Sequence, residues 1–144
     1  SSIDETTARS VQANFLAMSI AVSLSHGLCT TPLILASSLL GKDLGNLGNS
    51  VFFVASLASS LLLTAPVTGM FGPQNSLAIG QLFYALYLGG FAVALIAPSA
   101  KTVSWMAASV FGGIAGGLYW TAQGGYFSAA ASLLSTTTGR PREE

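Results

Sequence analysis

The sequence predicts an all-α, polytopic membrane protein built as a bundle of four transmembrane helices. Three observations carry this. The chain is 51% hydrophobic and only 7% charged, whereas an ordinary soluble domain is about 25% charged. Its charges are bunched and leave uncharged runs over residues 10–41, 44–100 and 102–139. A membrane span needs roughly 20 apolar residues, so the outer runs hold one span each. The middle run holds two, divided by the turn signal Gly72-Pro73-Gln74-Asn75. The expected organisation is a polar tail over 1–10, a transmembrane domain over 11–135 and a polar tail over 136–144. The spans are expected near 11–40, 51–70, 76–97 and 102–134.

Residues 1–10 carry Asp4, Glu5 and Arg9 and read as a solvated or interfacial segment, with Thr6–Ser10 able to begin the first helix. The segment lacks the basic, apolar and small-residue order of a signal peptide. In the first span Ser19, Ser23, Gly27 and Thr31 recur every four residues. This places them near one face, where small side chains admit a neighbouring helix. Pro32 predicts a kink. The stretch 41–50, GKDLGNLGNS, mixes glycine and asparagine with the Lys42–Asp43 pair and reads as an aqueous or interfacial loop.

The second span repeats the ladder at Ser56, Ser60, Thr64 and Thr68, and Pro66 is expected to kink its last turn. A short turn over 71–75 then requires an antiparallel hairpin, with Pro73 opening the third helix. That helix carries Gln81, Tyr84 and Tyr87 as a polar-aromatic side and ends at Pro98. Lys101 marks the next interface. Four spans put both termini on one side. Arg9, Arg140 and Arg142 there, against Lys42 and Lys101 opposite, bias the termini towards the inside.

The fourth span holds GGIAGGLYWTAQGGYF over 112–127. In water such a glycine density would ruin a helix. In lipid the backbone must satisfy its own hydrogen bonds, so the helix persists and the glycines allow close approach. Gly112, Gly116, Tyr119, Gln123 and Tyr126 form one stripe, and Gly113, Gly117, Trp120, Gly124 and Phe127 the next. Their glycine halves overlap as two G-x-x-x-G patterns, a signal for helix packing. The Tyr119–Gln123–Tyr126 half has two readings: hydrogen bonds to neighbouring helices, or the wall of a polar cavity.

Zero net charge gives no sign of a nucleic-acid partner. The single cysteine, Cys29, excludes an internal disulfide. No zincin, nucleophile-elbow or phosphate-loop motif occurs, so no catalytic residue, metal site or enzyme activity is expected. Neither is a defined cofactor; lipid or pigment is what such helix surfaces accept. No Asp, Glu, Lys or Arg falls within a span, where proton- and ion-coupled carriers usually need one. His26 is the one titratable candidate. It reads as hydrogen-bonded structure, as a relay, or as an axial ligand to haem or chlorophyll.

Ala65-Pro66, Phe71-Gly72-Pro73, Leu77-Ala78-Ile79-Gly80 and Tyr84-Ala85-Leu86-Tyr87 resemble the second and third helices of the UNC-ninety-three-like (uncoordinated) family of the major facilitator superfamily. Trp120-Thr121-Ala122-Gln123-Gly124-Gly125-Tyr126 is similar to that family's fourth-helix signature, W-T-[AG]-Q-G-x-Y. Order and spacing agree over about residues 44–127. The resemblance implies the N-terminal portion of a major-facilitator fold, in which the first and fourth helices face a central cavity. Trp120, Gln123 and Tyr126, and with them His26, would face it. It also implies regulatory roles: association with ion channels, or escort of membrane receptors.

A complete member has about twelve spans in two rocking halves. A four-span chain with no charge at membrane depth therefore reads as a non-enzymatic accessory or scaffold subunit. It would pack onto other membrane subunits through small-residue faces, and Ser19, Ser23, Gly27, Gly112, Gly113, Gly116 and Gly117 are the expected helix-packing residues. The alternatives are one part of a small-solute transporter, with His26, Tyr119, Gln123 and Tyr126 lining its cavity, and a pigment- or haem-associated subunit of a photosynthetic or respiratory complex. The expected location is a multi-pass membrane position, with organellar membranes compatible.

Overall fold

The protein was analysed as a computed structural model, which describes the backbone of residues 2–138 and the side chains of residues 9–136. Helices α1 (Ser2–Leu39), α2 (Lys42–Leu62), α3 (Thr64–Ile96) and α4 (Lys101–Thr138) follow one another, with a 3-10 turn over Pro98–Ala100. The fold is all-α, as the sequence predicts. Helix α1 begins at Ser2, within the segment read as a tail, and runs on through Pro32. Of the tail expected over 136–144, residues 139–144 lie outside the described residues.

The segment 41–50 corrects the sequence reading. It is helix from Lys42 onward, not loop. The connection shrinks to Leu40 and Gly41, and Gly41 takes φ 101 and ψ 148, a conformation essentially restricted to glycine. The other two glycines are packing residues. A methyl group at Gly45 would lie 2.5 Å from the Ser37 backbone nitrogen of α1, and Gly48 gives its space to the Trp105 indole of α4. Asn49 donates to the Leu33 carbonyl at 2.8 Å, and Ser37 to Asn46 Oδ1 at 2.7 Å. Asn46 and Asn49 thus tie α2 to α1 through their side-chain amides.

The next break falls at Leu63. Pro66 lacks the N–H that would bond the Leu62 carbonyl, and the helix loosens there. Thr64 to Phe71 nevertheless continues the course of α2. The chain reverses at Gly72, whose φ 76 and ψ 164 are non-helical, and Pro73 opens the returning helix. The sequence places this turn correctly.

Contacts fix the directions. Gly45 meets Ser37 and Asn49 meets Leu33, so α1 and α2 are antiparallel. Gly113 meets Phe52 and Gly117 meets Ser60, so α4 runs parallel to α2. Gly90 meets Ala108 and Gly80 meets Tyr119, so α4 runs antiparallel to the returning part of α3. The result is an up-down-up-down bundle with α4 wedged between α2 and α3. Helix α4 packs most extensively on those two, and α1 touches the others sparingly.

The core lies between α2, α3 and α4. Trp105 and Tyr87 are completely buried and stack at 5.9 Å between centroids, flanked by Phe52 and Phe91. The Trp105 Nε1–H donates to the Leu44 carbonyl at 3.1 Å. The outer faces are apolar. Leu24, Ile34, Leu57, Leu61, Met70, Ile96 and Val103 are all more than half exposed, as a lipid-facing surface requires.

Among the described residues, Arg9–Leu39, Lys42–Leu62 and Thr64–Ile96 are long and apolar enough to cross a membrane. Helix α4 is long enough, but its glycines, serines and threonines dilute its hydropathy. Position explains this. A helix enclosed by two others needs small side chains more than greasy ones.

Candidate functional site

Helix α4 carries both halves of the site. Its glycines are a seam against α2 and α3. At Gly113 a methyl group would lie 2.5 Å from Ala55 Cβ and closer still to the Phe52 carbonyl oxygen. At Gly117 it would collide with the Ser59 hydroxyl and lie 2.7 Å from the Ser60 nitrogen. At Gly112 it would meet the Tyr87 ring at 2.7 Å and the Phe52 ring at 2.8 Å; at Gly116 it would reach the Ser56 hydroxyl at 3.1 Å. Gly124, further along, has nothing within 4 Å of such a methyl. The close approach exposes α4 carbonyls to hydroxyls of α2 and α3. Ser59 donates to the Gly113 carbonyl at 3.3 Å and Thr64 to the Gly117 carbonyl at 3.2 Å. Each such bond contributes about 0.6 kcal/mol in a membrane bundle.

Ser19, Ser23, Gly27 and Thr31 occupy a different situation. Ser23, Gly27 and Thr31 are exposed and Ser19 is half-buried, and a methyl at Gly27 would meet nothing within 4 Å. The hydroxyls bond their own helix one turn back: Ser19 to Phe15, Ser23 to Ser19 and Thr31 to Gly27. No helix among the described residues covers Gly27.

The polar candidates divide between two concavities. His26 and Trp120 stand edge-to-face, 5.1 Å between ring centroids. Together with Cys29, Phe52, Ser56 and Tyr84 they line a cavity of about 280 Å³ on the α2 side of the α1–α4 contact. Tyr119 and Tyr126 face the α3 side instead. Tyr119 lines a groove of about 420 Å³ with Ser25, Gln74, Leu77 and Gln81, and Tyr126 lines its continuation of about 470 Å³ with Asn14, Met18 and Gln74. Gln123 is half-buried and lines neither concavity. The structure therefore does not bring His26, Tyr119, Gln123 and Tyr126 into one wall. The sequence reading missed Asn14 and Gln74 as wall residues. The spacing of Asn14, Ala17, Met18, Ala21 and Ser25 on one face of α1 was the available signal.

Among the described residues no three of His, Cys, Asp and Glu come together, so nothing in this geometry gathers ligands for a metal ion. What the site offers is uncharged hydrogen bonding, aromatic surface and close helix contact. That defines a class: a multi-pass integral membrane protein whose working surfaces are uncharged. Within that class the chain belongs to the family described as "Ion channel regulatory protein UNC-93", whose model matches residues 38–140, a family related to the major facilitator superfamily. The match includes the W-T-A-Q-G run on α4 and the hairpin at Gly72. No solved structure matches the chain.

Proposed function

We propose that the protein is a non-enzymatic membrane subunit that regulates or scaffolds a larger membrane assembly. The description of its family supports an ion-channel assembly. The observation that carries the reading is the uncovered face of α1. Ser19, Ser23, Gly27 and Thr31 form a small-residue face with self-satisfied hydroxyls, which fits contact with another subunit. Charge supports it as well: residues 10–41, 44–100 and 102–139 hold no Asp, Glu, Lys or Arg to couple ions to a transport cycle. The test is purification in mild detergent from the native membrane. A stoichiometric partner that is lost on Gly27→Leu supports the reading. A monomer with no partner in either form overturns it.

A second reading, one part of a carrier for a small uncharged solute, is favoured by the uncharged hydrogen-bonding groups along the Tyr119–Tyr126 groove. Solute uptake into vesicles that fell on Tyr119→Phe, with assembly unchanged, would favour it over the first.

A further inference from the structure

We propose that α1 and α4 leave the membrane together at the level of the Gly72 turn, and that beyond it they stand in water as a paired stalk about 20 Å tall. This placement holds for a regulatory subunit and for a carrier alike.

The length of α4 exceeds that of a bilayer. Its 38 residues measure about 57 Å, whereas a bilayer is about 30 Å thick in hydrocarbon and about 40–45 Å with its headgroups. The sequence of α4 does not say which part lies outside, because residues 102–139 are uncharged throughout. The neighbouring helices do. At one end Trp105 reaches the Leu44 carbonyl, which sets Lys101 near the level of Lys42 and Asp43. At the other end Gly125 faces the turn: a methyl group there would lie 3.8 Å from the Pro73 ring. These two levels are about 37 Å apart along α4. Residues 126–138 continue the helix for about 20 Å past the second level.

Sinking the bundle to embed α4 as far as Leu134 would carry the turn about 13 Å into hydrocarbon. Gly72 is non-helical, and Pro73, Gln74 and Asn75 are exposed. The first N–H groups of the returning helix lack intrahelical partners, and lipid offers them none. Side chains mark the same level independently. Asn14, Gln74 and Tyr126, from three helices, line one concavity, and amides and a phenol at one height suit a membrane–water boundary. Tilt does not absorb the excess. A tilt of about 40° would fit α4 within the bilayer but shorten residues 73–96 from about 36 Å to about 28 Å, and the turn would sink again.

Helix α1 accompanies α4 outward. Phe15 meets Phe127 at 5.1 Å between ring centroids, and Val11 and Leu133 line one concavity. Arg9, exposed, stands about 9 Å beyond Phe15, where its guanidinium is hydrated rather than held in lipid. The exposed Ser128, Ala131 and Thr136 then face water, and water-soluble macromolecules reach them.

The test uses spin labels on single cysteines placed by Gln74→Cys, Val110→Cys and Ala131→Cys, in a Cys29→Ala background, with the protein in phosphatidylcholine vesicles. All three positions are exposed, and an unchanged SDS-unfolding midpoint verifies each fold. Depth is read from collisions with a water-soluble nickel chelate and with oxygen, which concentrates in hydrocarbon. Position 131 is expected about 7 Å on the aqueous side of the level of Tyr126, position 74 within about 4 Å of the boundary and position 110 about 10 Å inside hydrocarbon. A second measurement adds charge: Val110→Lys should lower the midpoint and Ala131→Lys should leave it unchanged. An oxygen-rich signature at position 131, a label at position 74 more than about 8 Å inside hydrocarbon, or a fall on Ala131→Lys as large as that on Val110→Lys overturns the placement.

Discussion

Gly113→Ala should loosen the bundle far more than Gly124→Ala, although both change the same helix by one methyl group. At Gly113 the new carbon would sit 2.5 Å from Ala55 Cβ and closer to the Phe52 carbonyl. Ordinary contact requires α4 to move away from α2 by about 1 Å, and forced displacements of this kind cost about 1–3 kcal/mol. The same movement stretches the Ser59–Gly113 and Thr64–Gly117 bonds, already 3.3 and 3.2 Å long, each contributing about 0.6 kcal/mol. The expected loss is about 2–4 kcal/mol. At Gly124 nothing lies within 4 Å, so only helix propensity acts, between no change and about 1 kcal/mol of stabilisation. The assay is SDS titration from mild micelles, read by indole fluorescence in a Trp120→Phe background so that Trp105, completely buried in the native state, is the sole reporter. Coincident midpoints for the two variants would refute the close-packed seam.

Gly72→Ala should destabilise by about 1–3 kcal/mol despite open space around the residue, because φ 76 with ψ 164 is a conformation that alanine avoids; an unchanged SDS midpoint would contradict the turn geometry. Tyr87→Phe should be neutral or stabilising by about 1 kcal/mol, since the Tyr87 hydroxyl is buried without a partner. A clear loss of stability would mean that the hydroxyl is bonded after all. Ser59→Ala combined with Thr64→Val should cost about 1 kcal/mol, measured by the same titration, and should leave the α2–α1 bond of Asn49 and the α4–α2 bond of Trp105 intact.

The helical bundle is legible in the sequence because lipid imposes one rule: charges go to the ends of spans. The positions of Lys42, Lys101 and the Gly72-Pro73 pair mark span ends that the structure respects. The stretch 41–50 was not legible, because Gly45 and Gly48 look alike whether they turn the chain or receive another helix. Their role depends on Ser37 and Trp105, and the latter is more than fifty residues away. The α4 seam was readable because both halves of each G-x-x-x-G pattern lie on one helix.

The polar candidates were harder. Tyr119 and Trp120 are neighbours in sequence and diverge by about 100° around a helix, so one faces the α3 groove and the other the His26 cavity. Gln81, Tyr84 and Tyr87 read as one side, but each step of three falls short of a full turn by about 60°. Tyr84 and Tyr87 accordingly point into the core while Gln81 is exposed.

The enclosure of α4 also bears on how the bundle is made. Of the four helices it emerges last from the ribosome, and the glycines of its stretch 112–127 add little drive to leave the translocon for lipid. By then α2 and the Gly72 hairpin are already available at its exit. Their backbone shelf at Phe52, Ser56 and Ser60 offers α4 a surface that lipid does not. Integration of α4 thus becomes an act of assembly. A lesion in α2 such as Ala55→Leu should therefore show itself first as failure of α4 to become protease-protected during synthesis, before any defect in the finished protein is measurable.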